Sequence, residues 1–234
     1  MTVLVTGASG TLGSNLIKKF EENNIPCKGY SHQDSLSSIC WDEISTIINC
    51  AAVLPSSTAT EEKYLSGNVY FLERLLVYTQ GKHLIHFSSL SELFKCEDYQ
   101  VSKMIGNSLL LANAHKYEKL TTFPLPTLED ASLIKTIVTK ASNGENPIVD
   151  ELVYNFMSVD AVVSYVYGYV IGSEDHRISR KFQVRNLYEQ VSSLVDRKSI
   201  QKGKFIDRAL LKDDVYATST SLTSDFVERL KKRC

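Results

Sequence analysis

Several protein classes are excluded by what this sequence lacks. The five cysteines, Cys27, Cys40, Cys50, Cys96 and Cys234, are odd in number and form no CxxC pair. That argues against a disulfide framework or a thiolate metal site and fits a reducing compartment. No HExxH or Cys–His cluster exists, and His83 and His86, at i and i+3, fall on opposite faces of a strand. No metal is therefore expected. The longest apolar stretch, AVVSYVYGYVIG, is too short for a membrane helix and is interrupted by Ser164. MTVLVTGASG carries no basic segment ahead of its apolar run, unlike a signal peptide. The formal net charge is -1, with no basic stripe to attract nucleic acid. No internal repeat and no Gly/Ser-rich or Pro-rich linker occurs. A cytoplasmic chain without membrane, metal or nucleic-acid partners is expected.

What is present is an ordinary globular composition, 43% hydrophobic and 23% charged, in 234 residues. That length holds one large core plus a small lobe. Apolar strand runs at Thr2–Thr6, 26–31, 45–50, 83–88 and 119–123 alternate with helical spacings. The helices are expected at Thr11–Glu22, 61–79, 99–116 and 128–141. Alternation of this kind predicts an α/β fold, a Rossmann-type doubly wound parallel sheet covered on both faces. Only about fourteen residues separate the second and third strands, so one usual sheet element is expected to be missing between Ser31 and Ser45. Beyond Asn143 the pattern loosens. An extended run at 148–156 and helices at 158–170, 184–195 and 223–233 are expected, with Ser158 and Thr223 as N-caps. The division predicted is 1–125 as a dinucleotide-binding domain and 126–234 as a small, mainly helical substrate-binding lobe with some return to the sheet.

TGASGTLG places Gly7, Gly10 and Gly13 between the first strand and the first helix. Such glycines permit a tight turn and a close approach of backbone to a pyrophosphate, which the helix N-terminus favours electrostatically. Ser9, Thr11 and Leu12 supply nearby backbone donors. An NAD site usually carries an acidic residue at the tip of the second strand. Here Ser31 and His32 stand at the tip, with Asp34 a little beyond. The missing carboxylate leaves room for a 2′-phosphate, which favours NADP, with NAD the alternative.

Tyr99 and Lys103 are four apart on a predicted helix and share one side of it. A phenol has a pKa of about 10 and is a weak base at neutral pH. A neighbouring ammonium favours the phenolate. The pair can then exchange a proton with a substrate oxygen while Lys103 bonds a ribose. The serines of FSSLSELF precede it at a strand end and offer a hydroxyl to hold that oxygen.

Taken together, these motifs resemble the NAD(P)-dependent epimerase/dehydratase family, the extended branch of the short-chain dehydrogenases/reductases. TGASGTLG is similar to its TGxxGxxG, and NCAAV to its NxAA segment, through which Asn49, Ala51 and Ala52 would line the cofactor. NVYFLERLL is similar to the helix whose asparagine, here Asn68, supports a proton relay. FSSLSELF followed by DYQVSK resembles the active-site serine and YxxxK. The resemblance implies Ser89, Tyr99, Lys103 and Asn68 as catalytic residues, with Ser91 as the alternative serine. It implies a nucleotide-sugar substrate, epimerisation or keto-sugar reduction, and a homodimer. The sequence departs from the pattern in having only ten residues from Ser89 to Tyr99, Leu93-Phe94 where an aromatic–glycine pair is usual, and no arginine near 121–122. A reductase of a small non-sugar carbonyl and a cofactor-binding protein without chemistry are the other readings. Glu92 without a neighbouring aspartate argues against a dehydratase.

Overall fold

A computed structural model of the chain describes residues 2–56, 58–93, 97–128, 132–172 and 183–207. The expected helix at 223–233 lies outside them, as does Phe94. The described residues divide into two units, the first ending at Leu125 and the second beginning at Pro126.

The first unit is built on five parallel strands, β1 (Thr2–Thr6), β2 (Cys27–Tyr30), β3 (Ile44–Asn49), β4 (His83–Ser89) and β5 (Lys119–Leu125), in the order β2-β1-β3-β4-β5. Helix α1 (Thr11–Glu22) joins β1 to β2 and buries Leu16 and Phe20. Between β2 and β3 the chain makes only two short 3-10 turns, at Leu36–Ser38 and Trp41–Glu43. Among the described residues no strand lies outside β2, as the short spacing predicts.

The predicted helix at 61–79 is broken into α2 (Glu61–Leu65), a π-turn at Ser66–Tyr70, and α3 (Phe71–Tyr78). Helix α4 (Asp98–Ala112) follows β4. Leu72 and Leu75 of α3 and Leu110 of α4 close one core over Leu4, Ile47 and Leu84. Val3 and Val5 alternate to the other face and are fully buried. Strand β5 runs through Pro124 instead of stopping at Phe123. It is an edge strand, where a missing N–H is tolerated.

The second unit has its own four-stranded sheet of β6 (Thr127–Leu128), β7 (Ile148–Met157), β8 (Gln183–Asn186) and β9 (Gln201–Asp207), with helices α5 (Ser132–Ser142), α6 (Val159–Ile171) and α7 (Leu187–Ser192). It is more evenly mixed than a mainly helical lobe. Part of the helix expected at 184–195 is strand β8, because Gln183–Asn186 pairs antiparallel with Val153–Phe156. Ser158 caps α6 by accepting from Ala161 N–H at 3.1 Å, and Gly172 closes it in the left-handed conformation. No described helix is long and apolar enough to cross a membrane.

Candidate functional site

The glycine turn is held by contacts that leave no space for side chains. Gly7 has φ +66°, and a Cβ there would lie 2.7 Å from the Ala51 nitrogen. A Cβ on Gly13 would lie 2.3 Å from the Gly7 carbonyl oxygen. Gly10 N–H is engaged by the Gly7 carbonyl at 2.9 Å, so Gly10 offers bare surface, not a donor. The first helical bond runs from Ser14 N–H to the Gly10 carbonyl, which leaves the amides of Thr11 and Leu12 ahead of it. No side chain caps α1. Ser9, Gly10 and Thr11 are exposed. An exposed, uncapped helix start behind a glycine turn fits a dinucleotide pyrophosphate.

At the tip of β2 the fold brings a carboxylate to the position where the sequence has Ser31 and His32. The Asp34 carboxylate folds back and accepts from Ser31 N–H at 2.6 Å and Ser31 Oγ at 3.0 Å. Those two bonds hold its pKa below the usual carboxylate value. A fixed negative charge therefore stands beside Ser31. His32 is exposed.

Across the strand ends runs a buried polar ladder. Thr6, Asn49 and His86 are register partners on β1, β3 and β4. Thr6 Oγ1 donates to Asn49 Oδ1, and Asn49 Nδ2 lies 3.0 Å from His86 Nδ1. With its oxygen accepting from Thr6, Asn49 donates to His86, so the histidine is neutral with its proton on Nε2. Burial pushes the His86 pKa well down, and the Lys103 charge adds to that. Asn49 is only 1% exposed and both its amide atoms are engaged. Its side chain ties the end of β3 to β1 and β4. Ala52 is exposed and Ala51 partly so.

The π-turn brings Asn68 inward. Its Oδ1 accepts from Val53 N–H at 2.8 Å, and its Nδ2 donates to the Val53 carbonyl at 3.1 Å and to Ser102 Oγ at 2.9 Å. The Asn68 amide is thus a clamp between the 50–53 segment and α4. Two glycines allow this closeness. A Cβ on Gly67 would meet Val53 Cγ2 at 2.3 Å, and one on Gly106 would meet the Asn68 carbonyl oxygen at 2.4 Å.

Ser89, Tyr99 and Lys103 come together at the end of β4. The Ser89 side chain acts on the Tyr99 phenol and opposes the rise of its pKa. Ser89 Oγ lies 2.8 Å from Ser91 Oγ, so Ser91 stands behind the serine that acts on the tyrosine. Leu90 is buried. Tyr64 of α2 packs edge-on against Tyr99, with ring centroids 5.8 Å apart. Lys103 Nζ donates to the Phe87 carbonyl at 2.7 Å. Burial pulls the Lys103 ammonium down to about 8 against the opposing pull of Glu92 and Cys50. Burial likewise pushes the Tyr99 phenol up to about 12, against the Ser89 side chain and with Glu92 and Tyr64 adding to the rise. The expectation that Lys103 lowers the phenol is reversed here, because desolvation of the phenolate outweighs every other influence.

Glu92 is the residue of this site whose place the sequence reading missed. It is buried, and its Oε1 accepts from Ser88 Oγ and Ser89 N–H, both at 2.8 Å. Ser89-x-x-Glu92 is a capping-box signature and was readable as one. The burial of His86 had no such signal.

Five parallel strands, helices on both faces and a glycine turn at the first helix make up a Rossmann-type α/β fold, with Ser89, Tyr99 and Lys103 grouped at its fourth strand. No family model matches the sequence, and no curated protein does. Solved structures do match it. MoeE5, solved with UDP-glucuronic acid and NAD, is 18% identical over 99% of this chain and 98% of its own, with a TM-score of 0.67. A UDP-glucuronic acid 4-epimerase from Bacillus cereus, solved with NAD, is 14% identical over 98% and 99%, with a TM-score of 0.69. A dTDP-4-dehydrorhamnose reductase from Clostridium acetobutylicum is 15% identical over 91% and 90%, with a TM-score of 0.66. At these identities the likeness is one of fold.

Proposed function

We propose that the protein is a nicotinamide-dinucleotide-dependent enzyme acting on a nucleotide sugar, as an epimerase or a keto-sugar reductase. The observation that carries this reading is the packing of α4, with Tyr99 and a buried Lys103 bonded to the Phe87 carbonyl, on the end of β4 that bears Ser89, in a fold whose glycine turn fits a pyrophosphate. Neighbours of the same fold bind NAD with UDP-glucuronic acid or UDP-glucose. A bound nicotinamide supplies hydride exchange with the carbon bearing the reacting oxygen. Ser89 Oγ holds that oxygen. Tyr99 moves the proton there. With its pKa near 12 the phenol is protonated at neutral pH, the form that gives a proton to a carbonyl oxygen as it becomes a hydroxyl. Lys103 supplies positive charge and a donor to the ribose.

The Asp34 carboxylate beside Ser31 bears on cofactor choice. A 2′-phosphate would meet that charge, so Asp34 supports NAD and weighs against NADP. The second unit, from Pro126, is proposed to bind the nucleotide part of the substrate. A homodimer is supported by two neighbouring helical surfaces that leave Tyr70, Val77, Val101 and Ile105 exposed.

Calorimetric titration with NADH and NADPH, followed by turnover of a panel of keto-sugar nucleotides and epimer pairs, tests the reading. Binding of NADH with turnover is expected. Binding without turnover on any substrate would leave a cofactor-binding protein instead. Turnover of small carbonyls alone would replace the sugar substrate.

A further inference from the structure

We propose that Glu92, placed by a buried capping turn, is the counter-charge of Lys103 and so a positioning residue for the Tyr99–Lys103 pair. The proposal rests on the assignment of Tyr99 and Lys103 to the chemistry made above.

Glutamate is rarely fully buried unless a charge or donors compensate it. Glu92 is 2% exposed. Its backbone turn explains one oxygen only. Ser89 begins the 3-10 turn at Leu90–Leu93, its Oγ accepts from Ser91 N–H at 3.2 Å, and Glu92 Oε1 reaches back to Ser89 N–H. Ser88 Oγ donates to the same oxygen. Glu92 Oε2 is buried with no hydrogen-bond partner among the described residues. A capping role alone leaves that second oxygen unaccounted for.

The surrounding charges identify its use. Lys103 Nζ donates to the Phe87 carbonyl and Glu92 Oε1 accepts from Ser89 N–H two residues further along β4, so both head groups sit at the end of that strand. The Lys103 charge acts on Glu92, and Glu92 acts on the Tyr99 phenol. From β4, Ser88 and Ser89 face Glu92 as neutral donors, and His86 faces Lys103 in its neutral form. Cys50, at the end of β3, faces Lys103, and burial keeps it a neutral thiol. Tyr64 faces Tyr99 from α2. Burial raises the Glu92 carboxyl pKa, and the Ser88 hydroxyl, the Lys103 charge and the Ser89 N–H oppose that rise; among these groups Glu92 is the acid that can balance the buried ammonium. Among the described residues Lys103 Nζ donates to the Phe87 carbonyl, which carries no net charge to balance it.

Glu92→Gln separates the two roles. Its amide oxygen still accepts from Ser88 and Ser89, so a purely structural cap is preserved, while the charge is lost. The readout is the titration of Lys103 in cofactor-free protein, followed by NMR of isotope-labelled lysine and assigned with Lys103→Met. The wild-type midpoint is expected near 8. In Glu92→Gln it should fall by on the order of one pH unit, the effect of losing one nearby opposite charge. Glu92→Asp, which keeps a carboxylate, should restore most of that shift. An unchanged midpoint in folded Glu92→Gln overturns the proposal. If that variant does not fold, the wild type still decides. The Lys103 resonance should show a second inflection where the labelled Glu92 carboxyl takes up its proton, and a single inflection overturns the proposal. NADH binding by the wild type, measured alongside, tests the function separately. Its failure would remove the catalytic reading while the lysine titration stayed interpretable.

Discussion

Tyr99 is the residue proposed to carry the proton chemistry, and its phenol can be removed at small structural cost. Tyr99→Phe keeps the ring against Tyr64 and should leave folding and cofactor binding nearly intact. Turnover should drop by on the order of 100-fold or more, the scale of general acid–base catalysis. Ser89→Ala should match that defect and Ser91→Ala should not, because Ser89 acts on the phenol and Ser91 stands behind it. Initial rates on one substrate for the three variants decide this. Lys103 gives a pH signature. Its proton leaves near 8, so the charge that favours an anionic cofactor is present below that pH and lost above it. NADH affinity should therefore weaken as pH rises through about 8, and Lys103→Met should flatten that dependence. Calorimetry at several pH values on both proteins measures it.

Two close approaches set the geometry of the elements. Gly13 packs its backbone on Gly7, where an added Cβ would sit 2.3 Å from a carbonyl oxygen. Gly13→Ala should destabilise folding by about 1–3 kcal/mol, the range for overpacking a fixed contact. Gly10→Ala meets only the Gly7 oxygen at 3.3 Å, so its stability loss should be smaller and its effect should fall on cofactor affinity. Chemical denaturation and NADH titration of both variants separate these effects. At this scale the sequence was legible wherever the pattern was local. β1 and α1 stand where the apolar run and the helical spacing put them. The gap between β2 and β3 was readable from length alone. What depended on distant partners was not readable. β9 is a polar, glycine-containing run that becomes a strand only by pairing with β7. The π-turn at Asn68 depends on Val53 and Ser102, fifteen and thirty-four residues away. The Asp34 carboxylate returns to Ser31 through a turn that no periodicity announces.

At the scale of the whole molecule, the proposed homodimer would cover the exposed Tyr70, Val77, Val101 and Ile105. Ile105→Glu should shift sedimentation from dimer to monomer if that pairing is correct, and leave it unchanged if the pair forms elsewhere. The site itself was partly visible as motifs: Gly7, Gly10 and Gly13, then Ser89, Tyr99 and Lys103. Its electrostatics were not, since the high phenol and low ammonium follow from burial that only the fold creates. The central claim is that Tyr99 serves hydride chemistry on a nucleotide sugar through a bound nicotinamide. Its most direct test is the nicotinamide absorbance of wild type and Tyr99→Phe, each loaded with NADH and mixed with a panel of keto-sugar nucleotides. The account predicts oxidation of NADH by the wild type and a rate lower by on the order of 100-fold in Tyr99→Phe. Equal rates in the two proteins, or no NADH bound by the folded wild type, would contradict it.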